Sequence, residues 1–175
     1  MRASKNPQAS GFTIVELLIV IVVIAILASI TAVAFNGVQQ RARDSDRRSA
    51  VTTIAKALEL YYTDNGQYPV SSGSTVINNS WSTTADASWA NLEAQLRPYL
   101  ASVPDEPRPT AGVAGMTANG HNFDYYANKG SYCGSAVGRM YILVYRLEGA
   151  QQNTYIGDCS TSPLNYSASN YRVAK

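Results

Sequence analysis

The sequence predicts an α+β fold: one long N-terminal helix, with a membrane-spanning half and an amphipathic half, the second packed on a small antiparallel β-sheet. Three observations predict it. Residues 12–35 form an almost wholly apolar run that carries one charge, Glu16. Beyond it, Val51, Ile54, Ala55, Leu58 and Tyr61 or Tyr62 recur at the spacing of one helix face. Near the carboxyl end, residues 139–147 alternate, with Tyr141, Leu143 and Tyr145 on one face and Met140, Ile142 and Val144 on the other.

The apolar run comes first. At about 1.5 Å per residue it spans roughly 36 Å, enough for a bilayer core of about 30 Å. In lipid a backbone must satisfy its own hydrogen bonds, which makes a helix even of a run this rich in Ile and Val. It is apolar all round, so periodicity selects no buried face. Glu16 has two readings. Lying one turn inside, it can snorkel to the headgroups, or it is a functional intramembrane acid, since such a group costs on the order of 2.5–3.5 kcal/mol on insertion scales.

No proline falls between Pro7 and Pro69, so one helix can run from residue 12 to about residue 63. Gly37, after Asn36, is its weakest point and a candidate hinge, glycine costing about 1 kcal/mol in a helix. Asp64-Asn65-Gly66 is a stop signal followed by Pro69. Residues 71–88 are mostly Ser, Thr, Asn and Gly and read as a loop. Ser88 then reads as the N-cap of a short helix whose apolar face is Trp89, Leu92, Leu96 and Tyr99 or Leu100, with Pro104 and Pro107 at its exit. Residues 108–121 read as flexible. Strands are expected at 122–127, 139–147 and 154–158. The middle one, apolar on both faces, is expected at the centre of the sheet. The tail, 160–175, has no clear periodicity and is expected to wrap the sheet edge or stay mobile.

Two junctions resemble a known family. Ser10-Gly11-Phe12-Thr13-Ile14-Val15-Glu16-Leu17-Leu18 resembles the class III leader junction of type IV pilins and pseudopilins. Leu58-Glu59-Leu60-Tyr61-Tyr62-Thr63-Asp64-Asn65-Gly66-Gln67-Tyr68-Pro69 resembles the end of the long helix in the same family. The resemblance is specific over residues 10–69 and architectural after that. It implies that a prepilin peptidase cuts after Gly11 and methylates the new amine of Phe12, and that Glu16 pairs with the amine of a neighbouring subunit during assembly. Two buried unit charges are costly apart and tolerable together, which agrees with that pairing. Many pilins carry a proline inside the apolar run and this chain does not, so the melted turn of the family is not carried over. The rival reading, an ordinary signal peptide cut after Ala32-Val33-Ala34, is opposed by the length of the run and by its glutamate.

The chain then divides into a leader (1–11), a transmembrane or filament-core helix (12–35), the amphipathic half-helix and its cap (36–69), a variable loop with a short helix (70–121), and a sheet with its tail (122–175). The formal charge is +2, but loss of Arg2 and Lys5 with the leader would leave basic and acidic side chains equal in number. No basic face is visible in the head, so a nucleic-acid partner is not indicated beyond a local patch. Arg41, Arg43, Arg47 and Arg48 follow the apolar run. By the positive-inside rule they would hold the carboxyl side in the cytoplasm. The resemblance implies the opposite, a cytoplasmic leader and an exported head, with Asp44 and Asp46 pairing locally with the arginines. Cys133 and Cys159 both lie in that head, where an exported pair suggests a disulfide closing a loop of about 27 residues, worth roughly 3.5 kcal/mol.

Catalysis is not expected. A nucleophile pair of Cys133 with the single histidine, His121, is conceivable, but a second cysteine offers the first a simpler fate, and phosphate-loop, dinucleotide, zinc and serine-elbow motifs are all missing from the sequence. No cofactor or metal is expected; Asp105, Glu106 and Asp158 are the nearest approach to an oxygen cluster. The expected function is structural: a subunit of a type IV pilus-like filament, single-pass in the cytoplasmic membrane before assembly and extracellular after it. Its partners would be other copies of itself, the prepilin peptidase, the membrane, and the assembly ATPase and platform protein that the resemblance implies. Alternatives are a pseudopilin of a type II secretion or DNA-uptake machine, and a membrane-anchored binding domain that does not polymerise.

Overall fold

The computed structural model describes residues 11–117, 120–127, 135–149, 155–156 and 170–174. The chain divides into two units, residues 1–39 and 40–175. Helix α1, Ile14–Asn65, begins in the first and ends in the second. It passes through Asn36 and Gly37 without a break in its assignment. It ends as its sequence dictates: Gly66 takes a left-handed φ of 69° and donates its N–H to the carbonyl of Tyr62.

In the second unit, strands β1 (Ser82–Thr83), β2 (Asp124–Ala127), β3 (Tyr141–Tyr145), β4 (Tyr155–Ile156) and β5 (Asn170–Ala174) form a sheet in the order β1-β2-β3-β5-β4. All neighbours are antiparallel except β4 and β5, which run parallel. Helix α2, Trp89–Leu96, lies between β1 and β2 in the chain. The central place expected for the alternating segment belongs to β3, flanked by β2 and β5.

That place explains its composition, because each face of β3 lies in a different apolar cluster. Tyr141, Leu143 and Tyr145 join Val51, Ile54, Ala55 and Leu58 of α1, Trp89, Leu92 and Leu96 of α2, and Phe123 and Tyr125. Met140, Ile142 and Val144 join Trp81 and Tyr126, with Ile77 and Met116 partly buried against them. Tyr61 and Tyr62 pack against the first cluster and Tyr68 lies inside it, as junction residues should. Tyr68 stacks tilted on Tyr62 at 4.7 Å and edge-on to Tyr141 at 4.9 Å.

Four local expectations are corrected. The tail supplies β5, which is not an edge cover but sits between β3 and β4, its Val173 opposite Ile142. The 71–88 loop contributes the edge strand β1. Ser88 does not cap α2: its backbone is helical and its Oγ instead accepts the N–H of Thr83 at 2.9 Å. The 108–121 segment is tied to β2, since the Asn122 amide donates to the carbonyls of Thr110 and Val113 at 2.7 and 2.6 Å, and the carboxylate of Asp124 accepts the N–H of Met116 at 2.7 Å.

Two of the arginines after the apolar run are consumed within the second unit. Arg47 is fully buried and bonds Glu106 through Nε and Nη2, Asp44 through Nη1, and Glu148. Arg43 forms a two-pronged pair with Glu148 at 2.8 and 2.6 Å. Asp44 also accepts the N–H groups of Glu148 and Gly149. Asp44 thus pairs locally as expected; Asp46 stays exposed with no ion pair among the described residues. Among the described residues Arg41 and Arg48 have no ion pair; the positive-inside rule counts arginines whether or not they are paired, so the charge conflict with an exported carboxyl side stands.

Candidate functional site

The apolar half of α1 and its first turn are the part of the molecule least explained by folding. Phe12 and Ile14 are 84% and 85% exposed, and Leu17, Ile24 and Ile30 remain more than half exposed. Apolar surface on this scale marks a contact with lipid or protein rather than with water. By length and composition the helix can cross a membrane.

Thr13 and Glu16 close the start of this helix on themselves. The Glu16 carboxylate accepts the backbone N–H and the hydroxyl of Thr13, both at 2.8 Å, through the same oxygen, Oε2. The Thr13 hydroxyl in turn accepts the N–H of Glu16 at 3.2 Å. This is a capping box: Thr13 stands before the first helical residue and Glu16 is the third inside it. The pattern Thr-x-x-Glu before an apolar run is legible in sequence, and a reading of Glu16 by its charge alone misses it. The arrangement satisfies two donors that the helix start leaves open, and it keeps a carboxylate at the mouth of an apolar segment with Oε1 unengaged among the described residues. A Cβ added at Gly11 would meet nothing within 4 Å.

The remaining sequence candidates separate. Cys133, Cys159 and Asp158 lie outside the described residues. Glu106 is buried against Arg47, and Asp105 is exposed beside it, its carboxylate accepting the N–H of Glu106. Among the described residues no group of three or more His, Cys, Asp or Glu could hold a metal. His121 is half-buried, its pKa lowered by burial and by Arg47 and Arg146. It lines a cavity of about 500 Å³ with Arg108, Thr110 and Glu148. Both carboxylate oxygens of Glu148 are taken by Arg43 and Arg47, while His121 Nδ1 is buried without a hydrogen-bond partner among the described residues.

Comparison with known proteins gives both a family model and relatives. A family model described as the prokaryotic N-terminal methylation motif matches residues 6–32. Over 92 residues the chain is 32% identical to the type IV wide pilus major component of Thermus thermophilus, covering 53% of this chain and 70% of that protein. It is 36% identical over 62 residues to the type II secretion system core protein G of Aeromonas hydrophila, covering 35% of this chain and 43% of that protein. With the type IV major pilin protein of Myxococcus xanthus it shares 33% over 69 residues, 39% of this chain and 31% of that one. The chain thus spans less than half the length of the last two. No solved structure matches it.

Proposed function

The chain belongs to the type IV pilin and pseudopilin family, and on that premise we propose that it is a non-catalytic filament subunit, cut after Gly11 and assembled through the apolar half of α1. The observation that carries the reading is the bare apolar helix with a capped carboxylate at its mouth. Before assembly the helix is held in the cytoplasmic membrane as a single pass, with the head exported. Cleavage frees the amine of Phe12, which is then methylated. In the filament, Oε1 of Glu16 is the acceptor for a neighbour's amine, while Oε2 keeps its bonds to Thr13. Bundling of the helices exchanges lipid contacts for protein contacts. Packing and the charge pair, rather than a gain in apolar burial, therefore hold the core. Cys133 and Cys159 form a disulfide in the exported head. A prepilin peptidase, an assembly ATPase and a platform protein are the partners this route requires.

A pseudopilin role is the second reading. It is favoured by the matches to core protein G of type II secretion systems, at 36% identity in Aeromonas hydrophila and 35% in Escherichia coli. Deleting the chain separates the two: loss of surface fibres supports the pilus, and loss of protein secretion or DNA uptake with fibres intact supports the pseudopilin. Sequencing of the mature protein is expected to begin at Phe12, and a start at Met1 or Phe35 contradicts the proposal. Glu16→Ala is expected to abolish filaments seen by electron microscopy while the protein stays in the membrane fraction. Filaments at normal yield would remove Glu16 from assembly.

A further inference from the structure

Between Arg41 and Thr63, α1 buries one face in the head and leaves the opposite face bare. On that face Arg41, Ser45, Arg48, Thr52, Glu59 and Thr63 are all exposed. At about 100° per residue they fall within roughly 60° of one line, with exposed Lys56 at its margin. Among the described residues no ion pair involves Arg41, Arg48 or Lys56, whereas Arg43 and Arg47, on the other side of the helix, are fully paired. The bare ridge therefore begins with two cations, Arg41 and Arg48, and carries its one carboxylate, Glu59, near its far end, three residues after Lys56. Glu59 accepts one hydrogen bond, from the Tyr68 hydroxyl to Oε2 at 3.0 Å, and its other oxygen faces no described partner. Asp46 and Asp64, both exposed, lie on one flank, one toward each end, so they leave this polarity unchanged.

A ridge with opposite charge at its two ends is complementary to a copy of itself that runs parallel and is displaced along the axis. We infer that this face is a contact between copies of the chain, in which Glu59 of one copy meets Arg48 of one neighbour and, at a larger displacement, Arg41 of another. The stagger that joins them is roughly 16 Å for Arg48 and 27 Å for Arg41 at about 1.5 Å per residue. Such a contact is heterologous and does not close, so it propagates. The parallel sense rests on the filament reading above, in which all apolar runs enter one core. An anionic lipid surface would use only the basic end and leave Glu59 without a role. Ser45 and Thr52 between the charges, and Thr63 beyond them, are small enough to let two such ridges approach.

Charge reversal in the full-length chain tests it. Arg41→Glu with Arg48→Glu, and separately Glu59→Arg, are expected to lower the yield of sheared filaments by about tenfold or more, since like charges then face each other. Combining Arg48→Glu with Glu59→Arg is expected to restore it. As a check independent of folding losses, Arg48→Cys with Glu59→Cys is expected to give an oxidation ladder of covalent multimers in assembled filaments. Three outcomes overturn the inference. The parent chain assembles and the reversed variants assemble equally well, which leaves the filament reading intact. The reversed variants fail, the exchange does not rescue, no ladder forms, and the Arg variants instead lose binding to phosphatidylglycerol vesicles, making lipid the occupant. The parent chain forms no filament at all, in which case the functional reading fails first.

Discussion

At the scale of single residues, Thr13 and Glu16 must be considered together. A carboxylate at the third helical position is anchored by the N–H and hydroxyl of the residue before the helix, and replacing such a cap costs about 1 kcal/mol. Thr13→Val, which keeps size and removes the hydroxyl, is expected to speed amide exchange in the first turn of α1 in detergent micelles, and Thr13→Ser to restore protection. Equal exchange in all three would show that Glu16 is held by something else. The chemistry of Glu16 was legible because a lone acid in an apolar run stands out. Its partner was legible too, as a local motif. The partners of Arg47 were not: Glu106 and Glu148 are far from it in the chain, and nothing in a single sequence tells which distant carboxylates will meet a given guanidinium.

At the scale of elements, periodicity decided what could be read. The amphipathic half of α1, the apolar face of α2 and the two-faced β3 all repeat often enough to show a period. Strands β1 and β4 are two residues long and have none, and β5, Asn-Tyr-Arg-Val-Ala, owes its place to pairing with β3. Gly37 is the element-level question. A Cβ there would meet nothing within 4 Å, so Gly37→Ala removes only conformational freedom and is expected to strengthen the helix by about 1 kcal/mol. If filaments of this variant assemble as before, Gly37 is not a required hinge; reduced assembly with a more helical chain would make it one. The Arg47 network joins α1 to the 104–109 loop and to the exit of β3. Glu106→Gln replaces the charge-assisted bonds to Nε and Nη2 by weaker ones while Asp44 and Glu148 still face Arg47, so it is expected to destabilise the head by about 1.5–3 kcal/mol in urea. A loss under 1 kcal/mol would mean that Asp44 and Glu148 suffice.

For the whole molecule, the carboxylates of the head and its one histidine set how stability follows pH. The hydrogen bond from Arg43, with help from Arg47, brings Glu148 down to about 2 from an ordinary value of 4.5. Burial pushes Asp86 up, but bonds from Ser88 and from the N–H groups of Thr75 and Val76 outweigh it and bring the group to about 2. Both groups bind a proton more weakly when folded, so their contributions are full above the ordinary carboxylate range and are lost as pH falls toward 2. His121, lowered by burial, acts in the same sense from its ordinary 6.5 downward. Asp124 opposes them. It is fully buried, and burial raises it to about 6 against bonds from Thr83, Gly115 and Met116. Its contribution is full below the ordinary 3.8 and lost as pH rises through about 6. Asp124→Asn deletes that opposing contribution and adds a pH-independent penalty, because its amide nitrogen cannot accept the N–H of Met116 at 2.7 Å. The stability difference between the native chain and this variant, measured by urea unfolding in detergent, is therefore expected to widen by about 2 kcal/mol as pH falls from 6 to 4. A difference that stays constant across that window would mean that Asp124 is ionised throughout, held by its hydrogen bonds in spite of burial.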